Sequence, residues 1–156
     1  MSEKILGIDL GTSSSAAAII IDGKPQIIPS FEKNISTVKP FPSVVSFDQN
    51  GNCAIGSAAM EQAPYNPNGT IFNVKRKMGS GQKIKVFEKS SLPQFISALF
   101  LLKIKIDAEK LLDEKISKCV ITVPASFNDI QRQATKDAAS IAGLDAVRLM
   151  PEPIAA

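Results

Sequence analysis

Histidine and tryptophan are absent from this chain of 156 residues, and there is a single tyrosine. Without histidine there is no Ser-His-Asp or Cys-His nucleophile and no imidazole ligand for zinc. The two cysteines, Cys53 and Cys119, lie far apart and form no Cys-x-x-Cys pair, which removes a zinc ribbon and a disulfide framework. Both stand in apolar, strand-like surroundings, so free, buried thiols in a reducing compartment are expected. Long apolar runs are missing as well. The longest in the helical middle, Ala98 to Leu102, falls far short of the roughly 20 residues that span a bilayer, which argues against a membrane protein. Charge of one sign is also scarce. The net charge is +3, and the densest basic run, Lys75-Arg76-Lys77, has no aromatic neighbours, which argues against nucleic acid as a partner.

What remains is ordinary globular material, 44% hydrophobic and 21% charged, enough for one domain with a core. Met1-Ser2-Glu3-Lys4 runs straight into a strand-like segment with neither an apolar signal core nor a cleavage site, so a cytoplasmic protein is expected. Lys4 to Asp9 reads as a short buried strand and Ser15 to Ile21 as a second. Asp22-Gly23 turns the chain into Pro25 to Pro29. Pro40-Phe41-Pro42 breaks the chain, Ser43 to Phe47 is a further strand, and Asp48 to Gly51 its turn. A short helix is expected over Gly56 to Tyr65.

From about Leu92 to Leu112 the pattern becomes helical. Phe95, Leu99, Leu102, Ile106 and the Leu111-Leu112 pair recur at a spacing that suits one buried face. Lys118 to Val123 is a β-branched strand stopped by Pro124. Asn128 and Gln131 have the spacing of a capping box, opening a helix that is expected to bury Ile130, Ala134, Ala138, Ile141 and Ala142 and to end at Gly143. A last strand, Ala146 to Met150, leads into a helix begun by Glu152 to Ala156. A meander followed by alternating strands and helices predicts an α/β layer arrangement around a mixed β-sheet flanked by helices.

One turn carries chemistry on its face: Gly7-Ile8-Asp9-Leu10-Gly11-Thr12-Ser13-Ser14. Gly11 is suited to positive φ and to close approach of a ligand. The amides and hydroxyls of Thr12, Ser13 and Ser14 form a donor cluster suited to phosphate oxygens, and Asp9 at the strand end suits Mg²⁺ held through water. An ordinary hairpin built from turn-forming residues is the other reading of the same stretch. It is neither a Walker loop nor Gly-x-Gly-x-x-Gly.

Ile8-Asp9-Leu10-Gly11-Thr12 with its following hairpin resembles the first phosphate loop of the actin, sugar-kinase and heat-shock-chaperone superfamily. The long segment from Val120-Ile121-Thr122-Val123-Pro124 through Asn128-Asp129-Ile130-Gln131-Arg132 to Ala138 is similar to the DnaK-type (heat-shock protein 70 class) chaperones almost position by position. Ile141 to Leu144, Glu152-Pro153 and Asn73 to Gly79 extend the similarity over essentially the whole chain, densest at 5–14 and 119–153.

The resemblance implies lobe I of an actin-like, ribonuclease H-like ATPase domain. Its inner subdomain would be about 1–38 and 104–156, with a small α+β outer subdomain at about 39–103. It implies ATP or ADP with Mg²⁺ as ligands, Gly11, Thr12, Ser13 and Ser14 at the nucleotide, and Asp9 at the metal. Lys75 would stand by the γ-phosphate and the attacking water, and Glu152 would position that water. Pro124 and Arg132 would relay nucleotide state, and Arg148 would lie near a J-domain co-chaperone. The whole protein would bind unfolded peptides and a nucleotide exchange factor. The second lobe and the peptide-binding domain are not in this sequence, whose end at a helix start reads as that of a piece of a longer chain. The 156 residues alone are then expected to be catalytically incompetent and to self-associate through an exposed cleft face.

The departures from the family pattern are specific. Ser126 stands where tyrosine is usual, Pro151 and Ile154 replace Asn and Thr around Glu152, Ser13 and Ser14 replace Thr and Asn, and the stretch from Gly79 to Pro93 is short. These leave open a non-hydrolysing, nucleotide-dependent relative. A sugar or acetate kinase shares only the first loop.

Overall fold

The computed structural model describes residues 3–32 and 35–155. Met1 and Ser2, where the strand entry was expected to begin, and Ala156, at the end of the expected last helix, lie outside the described residues. Strands β1 (Ile5–Leu10), β2 (Ser14–Ile21) and β3 (Lys24–Ile27) form the antiparallel meander. Asp22 and Gly23 both take positive φ, 51° and 75°, as the twist of a two-residue hairpin requires.

The chain then makes a hairpin of β4 (Ser30–Glu32) and β5 (Ile35–Thr37), followed by β6 (Phe41–Pro42). Next come β7 (Val45–Phe47), β8 (Cys53–Ile55), α1 (Ser57–Gln62), β9 (Thr70–Ile71) and a 3-10 turn at Val74–Lys77. A second hairpin, β10 (Ile84–Val86) and β11 (Lys89–Ser91), precedes the long helix α2 (Pro93–Leu112). The chain closes with β12 (Lys118–Val123), α3 (Asp129–Ile141), β13 (Asp145–Pro151) and the single turn α4 (Glu152–Ala155).

The main sheet runs β13-β12-β1-β2-β3, with β6 attached to β2. Strand β1 pairs parallel with β12, and β12 parallel with β13, so three consecutive strands of the sheet point the same way. Along β1, Leu6, Ile8 and Leu10 are buried while Ile5, Gly7 and Asp9 are exposed, and Cys119, Ile121 and Val123 follow the same period in β12. All of the buried set except Val123 joins one hydrophobic core with residues of α2 and α3. Each such side chain contributes about 1.5–3 kcal/mol. The strand expected at the N-terminus is therefore buried on one face only. The opposite face, with Ile5 and Ile20 well exposed, has no covering element among the described residues.

The long helix corrects the expected face. Phe95, Leu102 and Ile106 are exposed and Leu99, Leu111 and Leu112 only partly buried, whereas Ile96, Phe100, Leu101, Ile104 and Ala108 form the core side. The sequence of α2 is apolar on nearly every side, so spacing alone supports two different stripes and packing against β2 and β4 chooses between them. In α3 the capping box is present: Asn128 Oδ1 accepts from the Gln131 amide at 2.9 Å, and Gln131 Oε1 accepts from the Asn128 amide at 2.9 Å. Ala134, Ala138 and Ala142 are buried as expected, but Ile130 and Ile141 are exposed, because small alanines let α3 sit close and leave the flanking isoleucines outside.

The thiols divide as well. Cys119 is buried and its thiol is pushed up to about 12, chiefly by burial and then by Asp145. Cys53, expected to be buried, is exposed, because β8 is an edge strand of the three-stranded outer sheet β8-β7-β9.

A buried ion pair ties α2 to the strands beside it. Lys103 Nζ lies 2.7 Å from Asp107 Oδ2, both nearly inaccessible, and Asp107 also accepts from the Phe31 amide at 3.4 Å. The Lys103 ammonium stands 5.1 Å over the Phe41 ring. Burial raises the Asp107 carboxyl above its usual range, against the opposing pull of Lys103.

Candidate functional site

Parallel strands end on the same side of a sheet, and that edge is where open α/β folds collect ligands. Here β1 runs into the Gly11 turn, β12 into Pro124, and β13 into Glu152. Asp9, exposed near the end of β1, accepts from Thr122 Oγ1 of β12 at 2.8 Å through Oδ1. Its Oδ2 carries no hydrogen bond among the described residues.

Gly11 does not take positive φ, contrary to expectation; its requirement is steric. A Cβ there would lie 2.0 Å from the Ser14 carbonyl oxygen, so any side chain would force the turn open. Ser43 fastens the turn from outside, its hydroxyl donating to the Gly11 carbonyl at 2.9 Å and its amide to the Ser13 carbonyl at 2.9 Å. The Ser43 and Ser15 hydroxyls meet at 2.8 Å in the interior. Thr12 is half-buried, while Ser13 and Ser14 are exposed at the mouth.

The lysine arrives from the outer part of the molecule. Asn73, at φ 55°, starts the 3-10 turn, and Val74 and Met78 anchor it in the core. This leaves Lys75 on the inner side, with its side chain largely buried and its ammonium in an ion pair with Glu152 Oε1. Glu152 is partly exposed at the first position of α4, where the helix dipole favours a carboxylate. The two residues stand 77 positions apart in the chain and meet at the ends of the parallel strands.

Pro124 is half-buried and begins the turn closed by the Phe127 amide on its carbonyl at 3.0 Å. Arg132 Nε donates to the Phe127 carbonyl at 3.1 Å, fixing the same turn from α3. Pro124, Arg132, Lys75 and Glu152 thus border one edge. Arg148 lies elsewhere, exposed on β13 opposite Val120, without an ion pair among the described residues. Ser126 is exposed in the loop before α3. Ser43, Ser15 and Thr122 are the positioning residues that sequence reasoning did not single out. Their partners lie 28 to 113 residues away, and no local pattern marks them.

A meander followed by parallel strands in the order β13-β12-β1-β2-β3, with a glycine turn and an acid at the strand ends, is the architecture of the actin-like, ribonuclease H-like ATPase lobes. The family model for the Hsp70 protein matches residues 5–91 and 80–156. The chain belongs to the Hsp70 family. It is 58% identical to the chaperone protein DnaK of Thermoplasma acidophilum over 153 residues, 98% of this chain and 25% of that protein. It is equally 58% identical to the DnaK of Methanothermobacter thermautotrophicus over 99% of this chain and 26% of that one, and 54% identical to the DnaK of Nitrosopumilus maritimus over 98% and 24%. The chain therefore spans about a quarter of the length of the curated relatives it matches.

Proposed function

We propose that these residues form lobe I of the nucleotide-binding domain of an ATP-driven chaperone. The inner subdomain is residues about 1–38 and 104–156, and the outer one about 39–103. The observation that carries this reading is the meeting of Lys75 and Glu152 at the carboxyl ends of β1, β12 and β13, beside the Gly11 turn. Gly11, Thr12, Ser13 and Ser14 take the phosphates of ATP or ADP. Asp9 fits Mg²⁺: one exposed carboxylate, oriented through Oδ1 by Thr122 and open at Oδ2, suits an ion that keeps most of its waters. The ion, when bound, neutralises charge on the phosphates.

Lys75 supplies a fixed cation where charge develops during in-line attack of water, and Glu152 holds that water. Pro124, whose carbonyl accepts from the Phe127 amide, and Arg132, which donates to the Phe127 carbonyl, carry the change at the strand ends towards a peptide-binding domain. In the whole protein the partners are unfolded peptides, a J-domain co-chaperone reaching Arg148, and a nucleotide exchange factor. The cellular setting is the cytoplasm; no helix among the described residues is long and apolar enough to cross a membrane.

In the full-length protein, Lys75→Ala is expected to slow single-turnover ATP hydrolysis by about 100-fold or more while leaving nucleotide affinity within a few-fold. Undiminished single-turnover hydrolysis overturns the assignment. Residues 1–156 alone are expected to turn over no ATP and, because one face of the sheet is bare, to self-associate; a monomer at high concentration in light scattering would sink that second point.

The alternative reading, a non-hydrolysing nucleotide-dependent relative, is favoured by Pro151. It occupies the last position of β13, opposite Val123 and immediately before Glu152, and removes the side-chain amide of the family pattern there. Steady-state hydrolysis by the full-length protein separates the two readings.

A further inference from the structure

Away from the strand ends, the outer part of the molecule contains an open groove of about 1190 Å³. One wall is β9, the edge strand of the sheet β8-β7-β9, and the other is the β10–β11 hairpin; the first turns of α2 close the end. Each strand of a two-stranded hairpin keeps one unpaired edge, and β9, paired only with β7, has no sheet partner on its outer side among the described residues. The elements that border the channel thus each retain a strand edge without a sheet partner among the described residues.

The channel's chemistry is specific. Phe72, just past β9, and Phe95, in the first turn of α2, are 42% and 49% exposed and line it from different elements. Lys77, Lys83, Lys85 and Lys89 also line it, and none of the four has an ion pair among the described residues. Two carboxylates oppose them, Asp48 and Glu88. Asp48 is already committed. It accepts from the Asn50 and Asn52 amides and from the Asn52 side chain, which holds its carboxyl below the usual range. The hairpin that carries three of the lysines turns through Phe87 at φ 52°, a left-handed conformation that disfavours a bulky residue.

We infer that this groove takes an extended acidic peptide segment with apolar side chains at alternate positions. Such a segment adds as a strand to the free edges, sets its apolar side chains against Phe72 and Phe95, and turns its carboxylates to the lysines of the hairpin. Excess positive charge selects the acidic partner. The strand edges select a polypeptide over a nucleic acid, whose bases satisfy no ladder of amides. The site is separate from the nucleotide edge and uses none of its residues.

The test uses the full-length protein and a fluorescein-labelled peptide of alternating Glu and Phe, about eight residues long, enough for one strand. Because a chaperone of this class is proposed to hold peptides elsewhere too, the readout is local: amide exchange in residues 70–72 and 84–91. Slowed exchange there on adding the peptide is expected, together with at least tenfold weaker protection in the Lys83→Glu/Lys85→Glu/Lys89→Glu variant and at high salt. The same peptide with a central proline, which cannot complete a ladder, is expected to give no protection.

Unchanged exchange in the native protein overturns the proposal. So does equal protection by a Lys-Phe peptide, which would mean apolar contact alone, or displacement by a single-stranded oligonucleotide. Nucleotide affinity of the triple variant is expected to match the native value, which distinguishes loss of the groove from loss of folding. The two peptide controls are run on the native protein and stand even if that variant fails.

Discussion

The inner sheet and the outer part of the molecule are held together by different means. Strands β1, β2, β12 and β13 are six to eight residues long and pair along most of their length, with one irregularity between β12 and β13 at Cys119/Val120, and β1, β2 and β12 bury alternate side chains. Strands β7 to β11 have two or three residues each and are divided between a three-stranded sheet and a hairpin. Such short pieces have little stability of their own. The outer part is kept in place by a few anchors sunk into the larger core: Val74, Met78 and Ile84, with the Ser97 hydroxyl 3.3 Å from Met78 Sδ. The inner sheet supplies a rigid edge, and the outer part delivers one lysine to it. The candidate site therefore depends on the joint between them.

The strongest way to break this comparison is to remove the support common to both parts. Asp107→Ala strands the buried Lys103 ammonium and the Phe31 amide. Breaking a buried pair from one side costs about 3–5 kcal/mol. Unfolding by urea is expected to shift to lower concentration, with circular dichroism and the amide NMR signals of the two parts still losing intensity together. A loss below about 1 kcal/mol would show that the pair is solvated in practice.

A smaller change sharpens it. Gly79 has φ 71°, and a Cβ there would lie 2.8–2.9 Å from Cγ, Cα and N of Gln131 at the start of α3. Gly79→Ala is expected to cost about 1–3 kcal/mol. Its effect is expected to be confined to faster amide exchange over residues 70–91, while β1 and β12 stay protected. Uniform loss of protection across both parts would mean that they unfold as one unit.

Local rules made much of the inner part legible in the sequence. Asp22-Gly23, the Asn128 and Gln131 box, and the apolar run of β12 each signal themselves within a few residues, and all three fold as read. The face of α2 was not legible, because a helix with Phe95, Leu99 and Leu102 on one side and Ile96, Phe100 and Ile104 on another offers two answers. Exposed Cys53 illustrates the limit from the other direction: an apolar strand at a sheet edge looks the same in sequence as one at its centre. The site was legible only through family resemblance. Spacing within the chain contains nothing that brings Lys75 to Glu152, Thr122 to Asp9, or Ser43 to Gly11; those approaches are properties of the assembled sheet.

The pairing of β1 with β12 has a consequence in time. Ile5 meets Lys118 and Ile8 meets Ile121. When the chain is synthesised, the meander β1-β2-β3 can close at once, but the parallel neighbour of β1 appears more than a hundred residues later. At ribosomal rates that delay is on the order of ten seconds. Throughout it, one side of the most central strand stands open as an unpaired edge, and the core face of Leu6, Ile8 and Leu10 gains α2 only near its end and α3 after it. Contacts this distant in sequence also make for slow closure once all the parts exist. The nascent chain thus has a long period of vulnerability to misassociation, set by topology and not by the stability of the finished fold.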